Sequence, residues 1–261
     1  MNSELSYISH PIDVEPEPAP QNLISRVIGV WFSPGEAFAE ISRAPRILIP
    51  TLLLFVLAGA SNYLVIDRFG YENIVRKQME SMVNAGWISQ DKADEVIQQE
   101  LTPSKVSAGK IQSGVFAAVW IVVLLTIMAG LFKAFTLLMG KGNRFKQVYS
   151  ATTYAYLATT LISTVVTLIS IYLKDPADLD IYNPVASNLG AILPMMVEGL
   201  PKFILGLASF VDVFGIWNLT LLAIGYAAIT HKMKTGTAGV FLVILYVIGA
   251  FVWAGFLSLF K

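Results

Sequence analysis

Apolar residues in this chain come in long unbroken blocks rather than in the short alternations of a soluble domain. Runs free of Asp, Glu, Lys and Arg extend over 47–66, 111–132, 147–173, 213–230 and 235–260. A helix needs about 20 residues to cross the hydrocarbon of a bilayer. The five runs therefore predict an all-α, multi-pass membrane bundle with five transmembrane helices.

Ahead of the first run the pattern shortens. Leu23, Ile24, Val27, Ile28, Val30, Trp31 and Phe32 stand against Asn22, Ser25 and Arg26, and then Ala37, Phe38 and Ile41 oppose Glu36 and Glu40. Between them, Ser33-Pro34-Gly35-Glu36 has the form of a helix start: a Ser at the cap, Pro at the first helical position, and a Glu placed to reach back to the cap's amide. This predicts two short amphipathic helices meeting at a capped corner, lying in the headgroup layer before the first span. Covering the end of the bundle uses the same residues and is the alternative. Trp31, Phe32, Ser33, Pro34, Glu36 and Phe38 are the contact candidates. In the connection 67–110, Val75, Met79, Met82 and Val83 share one helical face, as do Ala93, Val96, Ile97 and Leu101. A helical hairpin at about 71–85 and 89–101 is expected, packed on itself or offered to a partner.

Composition agrees with the pattern: 55% of the 261 residues are hydrophobic and 14% charged. Residues 1–21, rich in Pro and acids and lacking a basic or apolar leader segment, are expected to form a disordered tail. Residues 22–261 then form one membrane domain. Orientation follows from bases in short loops. Arg43, Arg46, Lys133, Lys141, Arg144, Lys146, Lys232 and Lys234 cluster on one side, whereas 67–110 and 174–202 carry more acids than bases. The N-terminus is accordingly expected in the cytoplasm, and a net charge of zero argues against nucleic acid as a partner.

Candidate chemistry is sparse. The chain has no cysteine, and its two histidines, His10 and His231, form no metal-binding spacing. Asp175, Asp178 and Asp180 lack the glycine and terminal glutamate of a calcium loop. No catalytic set, metal or cofactor is expected. Within the apolar runs, Asp212 has three readings. It sits in the first turn of a span beginning at Ser209, makes a buried polar contact, or serves a proton or ion. Thr152, Tyr156, Thr159, Ser163, Thr167 and Ser170 recur at three- and four-residue spacing, so their hydroxyls face either neighbouring helices or a polar conduit. Gly215, Asn218, Gly225, Ala250 and Ala254 fit close helix packing. Lys133 is expected to snorkel to the nearer interface.

Phe32-Ser33-Pro34 with Phe38 and Ile41, Pro45 and Pro50 at the entrance of the first run, Asp212-x-Phe214-x-x-Trp217 early in the fourth, and the five-run layout together resemble the Yip family of integral membrane proteins, in particular its prokaryotic branch. The resemblance covers about 22–260 and implies a five-helix domain with a cytoplasmic N-terminus in a bacterial inner membrane. Eukaryotic members are associated with vesicle trafficking and Rab-type GTPases. Their Asp-Leu-Tyr-Gly-Pro motif is missing ahead of the first run, and Asp180-Ile181-Tyr182-Asn183-Pro184 falls on the wrong side, which counts against a GTPase partner. The expectation is a non-enzymatic adaptor or organiser contacting lipids, a protein partner or itself. The alternative is a transporter or lipid-handling protein using the hydroxyl stripe.

Overall fold

A segment that meets no water must satisfy its amides and carbonyls internally, and the apolar runs do so as helices. The computed structural model describes residues 22–175 and 184–259. The tail with His10, and the stretch containing Asp178 and Asp180, lie outside the described residues. The described regular structure is helical: α1 (Leu23–Phe32), α2 (Pro34–Arg43), α3 (Leu48–Phe69), α4 (Tyr71–Asn84), α5 (Gln90–Glu100), α6 (Pro103–Leu138), α7 (Phe145–Leu173), α8 (Leu189–Ile192, continued by a 3-10 turn to Met195), α9 (Lys202–Ser209), α10 (Val213–Ile229) and α11 (Thr235–Ser258).

Four of these, α3, α6, α7 and α11, are long and apolar enough to cross a membrane. The expected fifth span is apolar but shorter. With 17 residues, α10 is about 25 Å long against a hydrocarbon layer of about 30 Å. Conversely, α6 overruns its apolar block by more than two turns at its start, because Pro103 at N1 and the polar stretch to Lys110 continue the helix out of it.

Cross-helix bonds fix the directions. Along α3 and α7, Ser150 donates to the Arg46 carbonyl, Ser61 to Thr164, and Arg68 to the Ile171 carbonyl, so the two run parallel. Returning between them, α6 passes so close to α3 that a Cβ on Gly114 would stand 2.9 Å from the Gly59 carbonyl oxygen. Antiparallel to α7, α10 sets Tyr226 beside Thr152 and Asn218 beside Thr159. One end of the bundle thus gathers Arg43, Arg46, the α6–α7 loop and the α10–α11 loop, and is called here the basic end. The far end carries α4, α5 and Asp212.

The core runs along the axis through Leu54, Leu125, Phe132, Leu157, Leu222 and Leu242, all buried. The outward faces of α3, α6 and α11 expose Leu52, Val56, Phe116, Trp120, Val247 and Phe251. A surface this apolar suits hydrocarbon rather than water. Ala250 and Ala254 are buried, and Gly206 of α9 approaches the Ala254 backbone so tightly that a Cβ would stand 2.9 Å from its Cα. This pair therefore packs within the chain.

Candidate functional site

Only Ser33 separates α1 from α2, and the two helices fold back on each other about it. Arg26 and Glu40 each lie seven positions from Ser33, and Gly29 and Ala37 each lie four. Both pairs meet. The Arg26 guanidinium holds the Glu40 carboxylate at 2.8 and 2.9 Å, and a Cβ on Gly29 would stand 3.1 Å from that of Ala37. The Arg26 side chain is fully buried, 5.7 Å above the Tyr154 ring of α7.

This corrects the sequence reading of α1. The residues assigned to its polar face include Arg26, which is fully buried; Ile24, Ile28 and Phe32, on the apolar side, are exposed, Phe32 by 81%. Spaced four apart, these three form one outward ridge. Val27 and Val30 pack inward with Phe38 and Ile41. Trp31 is half-buried and donates through Nε1 to the Ala158 carbonyl at 2.9 Å. Phe38 enters α10 at Gly225, where a Cβ would lie 3.0 Å from the ring. Of the two readings offered for the pair, covering the bundle is what the contacts of its inner faces show.

The corner itself also differs from expectation. Pro34 opens α2 as anticipated, but the Ser33 side chain makes no capping bond, and Glu36 is exposed. The turn is closed instead by the Ser33 amide donating to the Gly29 carbonyl at 2.7 Å. The cap appears one helix earlier, where Asn22 accepts from the Ser25 amide.

Hydroxyls of α7 are divided rather than pooled. Thr152 donates to the Val148 carbonyl, leaving its oxygen to accept from the Tyr226 hydroxyl at 2.8 Å. Thr159 lies 3.0 Å from the Ala155 carbonyl and 3.3 Å from Asn218, which also faces Tyr156. Ser163 turns back to the Thr160 carbonyl, Thr167 is half-buried, and Ser170 donates to the Pro184 carbonyl. The stripe thus joins α10 only over Thr152, Tyr156 and Thr159.

At the far end Asp212 caps a helix. Its Oδ1 accepts from the Gly215 amide at 2.7 Å, and its Oδ2 from Ser187 at 2.5 Å. Backbone bonds from Leu189 to Val211 and from Val213 to Ser187 clamp the same point. The helix start is later than expected, however. Ser209 ends α9 and bonds back to Gly206, so Asp212 is the cap of α10 itself, not a residue of a first turn begun at Ser209. Phe214 and Trp217 are half-buried, Trp217 against the core. Lys133 reaches the α6–α7 loop, donating to the Asn143 carbonyl and side chain.

The Arg26–Glu40 pair was missed because each residue, taken alone, reads as the polar face of an amphipathic helix. Their equal spacing from a one-residue corner is the signal that would have found it.

A helical bundle with lipid-suited flanks, entered by a short hairpin locked through a buried ion pair, defines an integral membrane protein. The family model described as the Yip1 domain matches residues 28–256, nearly the whole described bundle, and the chain belongs to this family. No curated protein and no solved structure matches it.

Proposed function

We propose that the chain is a non-enzymatic membrane adaptor or organiser, spanning a bacterial cytoplasmic membrane five times with its N-terminus and basic end inside. Bases in the short loops support the orientation. A short span such as α10 is accommodated by local thinning of the bilayer or by neighbours that extend it, and α9 precedes it directly. The want of cysteine and of clustered histidine supports the non-enzymatic reading.

One observation carries the adaptor role: a rigid hairpin whose inner face is tied into the bundle and whose outer ridge of Ile24, Ile28 and Phe32 is free. Ser150 meets Arg46 at the start of the first apolar run, and Trp31 meets Ala158 eight residues further along α7. At 1.5 Å per residue the corner lies about 12 Å into the apolar layer. A ridge at that depth contacts lipid or another membrane helix. The bonds of Thr152 and Thr159 favour packing over a hydrated path along α7.

Photocrosslinking in native membranes tests this. A photoreactive residue in place of Phe32 is expected to capture one discrete protein, or a second copy, that a probe at the buried Leu222 does not. Adducts with lipid alone at position 32 would remove the adaptor role. Substrate turnover by the purified protein, abolished by one substitution, would overturn the non-enzymatic reading.

A further inference from the structure

The basic end holds more positive charge than the protein neutralises. Among the described residues the ion pairs are Arg26–Glu40, Lys92–Glu95, Lys105–Glu100 and Lys110–Asp67, and none involves Arg144, Lys146, Lys232 or Lys234. Two of these uncompensated cations, Arg144 and Lys232, line a cleft of about 710 Å³. Its walls are the α6–α7 loop from Gly142 to Gln147 and the segment Ala227–Met233, with no carboxylate in the lining. The start of α7, capped by Gln147 accepting from the Arg144 amide, opens on this cleft and turns the positive end of a 29-residue helix toward it.

A second cavity, an almost wholly apolar groove of about 520 Å³, runs between α10 and α11 past Ile216, Leu219, Ala223, Gly239, Val243 and Tyr246. Small residues make it: Gly239 presents only backbone toward Ala223. The linings of the two cavities follow one another along α10. Ala223 in the groove and Ala227 in the cleft are one turn apart on the same face of α10, and Met233 of the cleft is two residues from Thr235 of the groove. A cationic cleft at the mouth of an apolar groove matches an amphipathic anion.

We propose that cleft and groove form one binding site for an anionic phospholipid, the phosphate held between Arg144 and Lys232 and an acyl chain laid along α10 and α11. Basic pockets between membrane helices on the cytoplasmic side are suited to anionic headgroups. The site requires only that the helices span the bilayer, and it stands apart from the adaptor role of the α1–α2 ridge.

The test uses the full chain in nanodiscs of phosphatidylcholine doped with phosphatidylglycerol, released into mild detergent for native mass spectrometry. One retained phosphatidylglycerol per chain is expected, preferred over phosphatidylcholine, with retention falling roughly 30-fold in Arg144→Gln/Lys232→Gln. Gly239→Leu, which fills the groove, should also lower retention. Lys92→Gln/Lys105→Gln should not. Millimolar inorganic phosphate or glycerol phosphate should fail to displace the lipid; full displacement would mean a free-phosphate site without the groove. Equal retention of the two lipids, or loss matched by the Lys92/Lys105 control, would overturn the proposal. As a measurement on unaltered protein, photoactivatable phosphatidylglycerol should label 142–147 or 227–243, and labelling confined to other segments would also overturn it.

Discussion

The hairpins α1–α2 and α4–α5 are built the opposite way round. In α1–α2 the ion pair is inside and the large apolar side chains Ile24, Ile28 and Phe32 are outside. In α4–α5 the small apolar contacts, Val75 and Ala93, are inside, and the pairs Lys92–Glu95 and Lys105–Glu100 near its end stand exposed. In the proposed placement, with α1–α2 in the apolar layer and α4–α5 outside it, each arrangement is the economical one for its surroundings. Water solvates charge and rejects hydrocarbon, whereas lipid tails give an outward Ile no reason to turn inward and make an unpaired outward Arg costly. The hairpins also differ in how they are held. The first is bonded to α7 and seated on α10, while in the second Tyr71 lies over Gly109 of α6 and Ile74 packs on Phe69 and Ile171.

The largest expected effect of breaking this contrast is at the buried pair. Arg26→Leu or Glu40→Leu leaves one charge enclosed without its partner and should cost about 3–5 kcal/mol, whereas Arg26→Met/Glu40→Leu should recover most of the loss. Denaturant unfolding in detergent micelles reads both, and equal destabilisation by the single and double variants would show that the pair is not the lock. Next in size is Gly109→Leu. A Cβ there would stand 2.3 Å from the Tyr71 ring, so the ring must leave its seat on α6. Hydrogen exchange should rise about tenfold or more across 71–78, corresponding to a loss of about 1–3 kcal/mol of docking, with α1–α2 unchanged.

Smallest is the exposed pair. Lys92→Ala should cost little, because an exposed ion pair is screened by water and salt. Its signature is pH dependence: the hydrogen bond and charge of Lys92 hold the Glu95 carboxyl below the usual carboxylate range. A lowered folded value means that this contribution is complete above the unfolded pKa of about 4.3 and disappears as pH falls through the folded one. Protection of α5 amides should therefore decline in acid in the wild type, and the decline should be weaker in Lys92→Ala.

These differences also explain which features were legible in the sequence. The hairpin in water could be read from periodicity: α4 and α5 occupy the segments that Val75–Val83 and Ala93–Leu101 indicate, because there apolar means inward. For α1 the same rule misassigned Arg26, since a charge paired across a tight corner can turn inward while apolar residues face outward. Span lengths met a similar limit. Charge-free runs bound a span from outside, but Asp212 acting as a cap after the separate helix α9, and the polar overrun of α6 from Pro103, are decided by local bonds that hydropathy does not register. The glycines that let helices cross, Gly59 against Gly114 and Gly225 against Phe38, depend on tertiary register that one sequence does not display.

The central claim is the proposed placement of the α1–α2 hairpin within the apolar layer, its ridge open to lipid or to another membrane helix. Because the chain has no native cysteine, Ile28→Cys and Phe32→Cys each provide a unique label, and nitroxide accessibility in reconstituted bilayers measures depth directly. Both labels are expected to collide with oxygen far more than with a water-soluble nickel chelate, Phe32→Cys more strongly so than Ile28→Cys. Ready collision with the chelate at position 32 would place the corner in water or headgroups and contradict the claim.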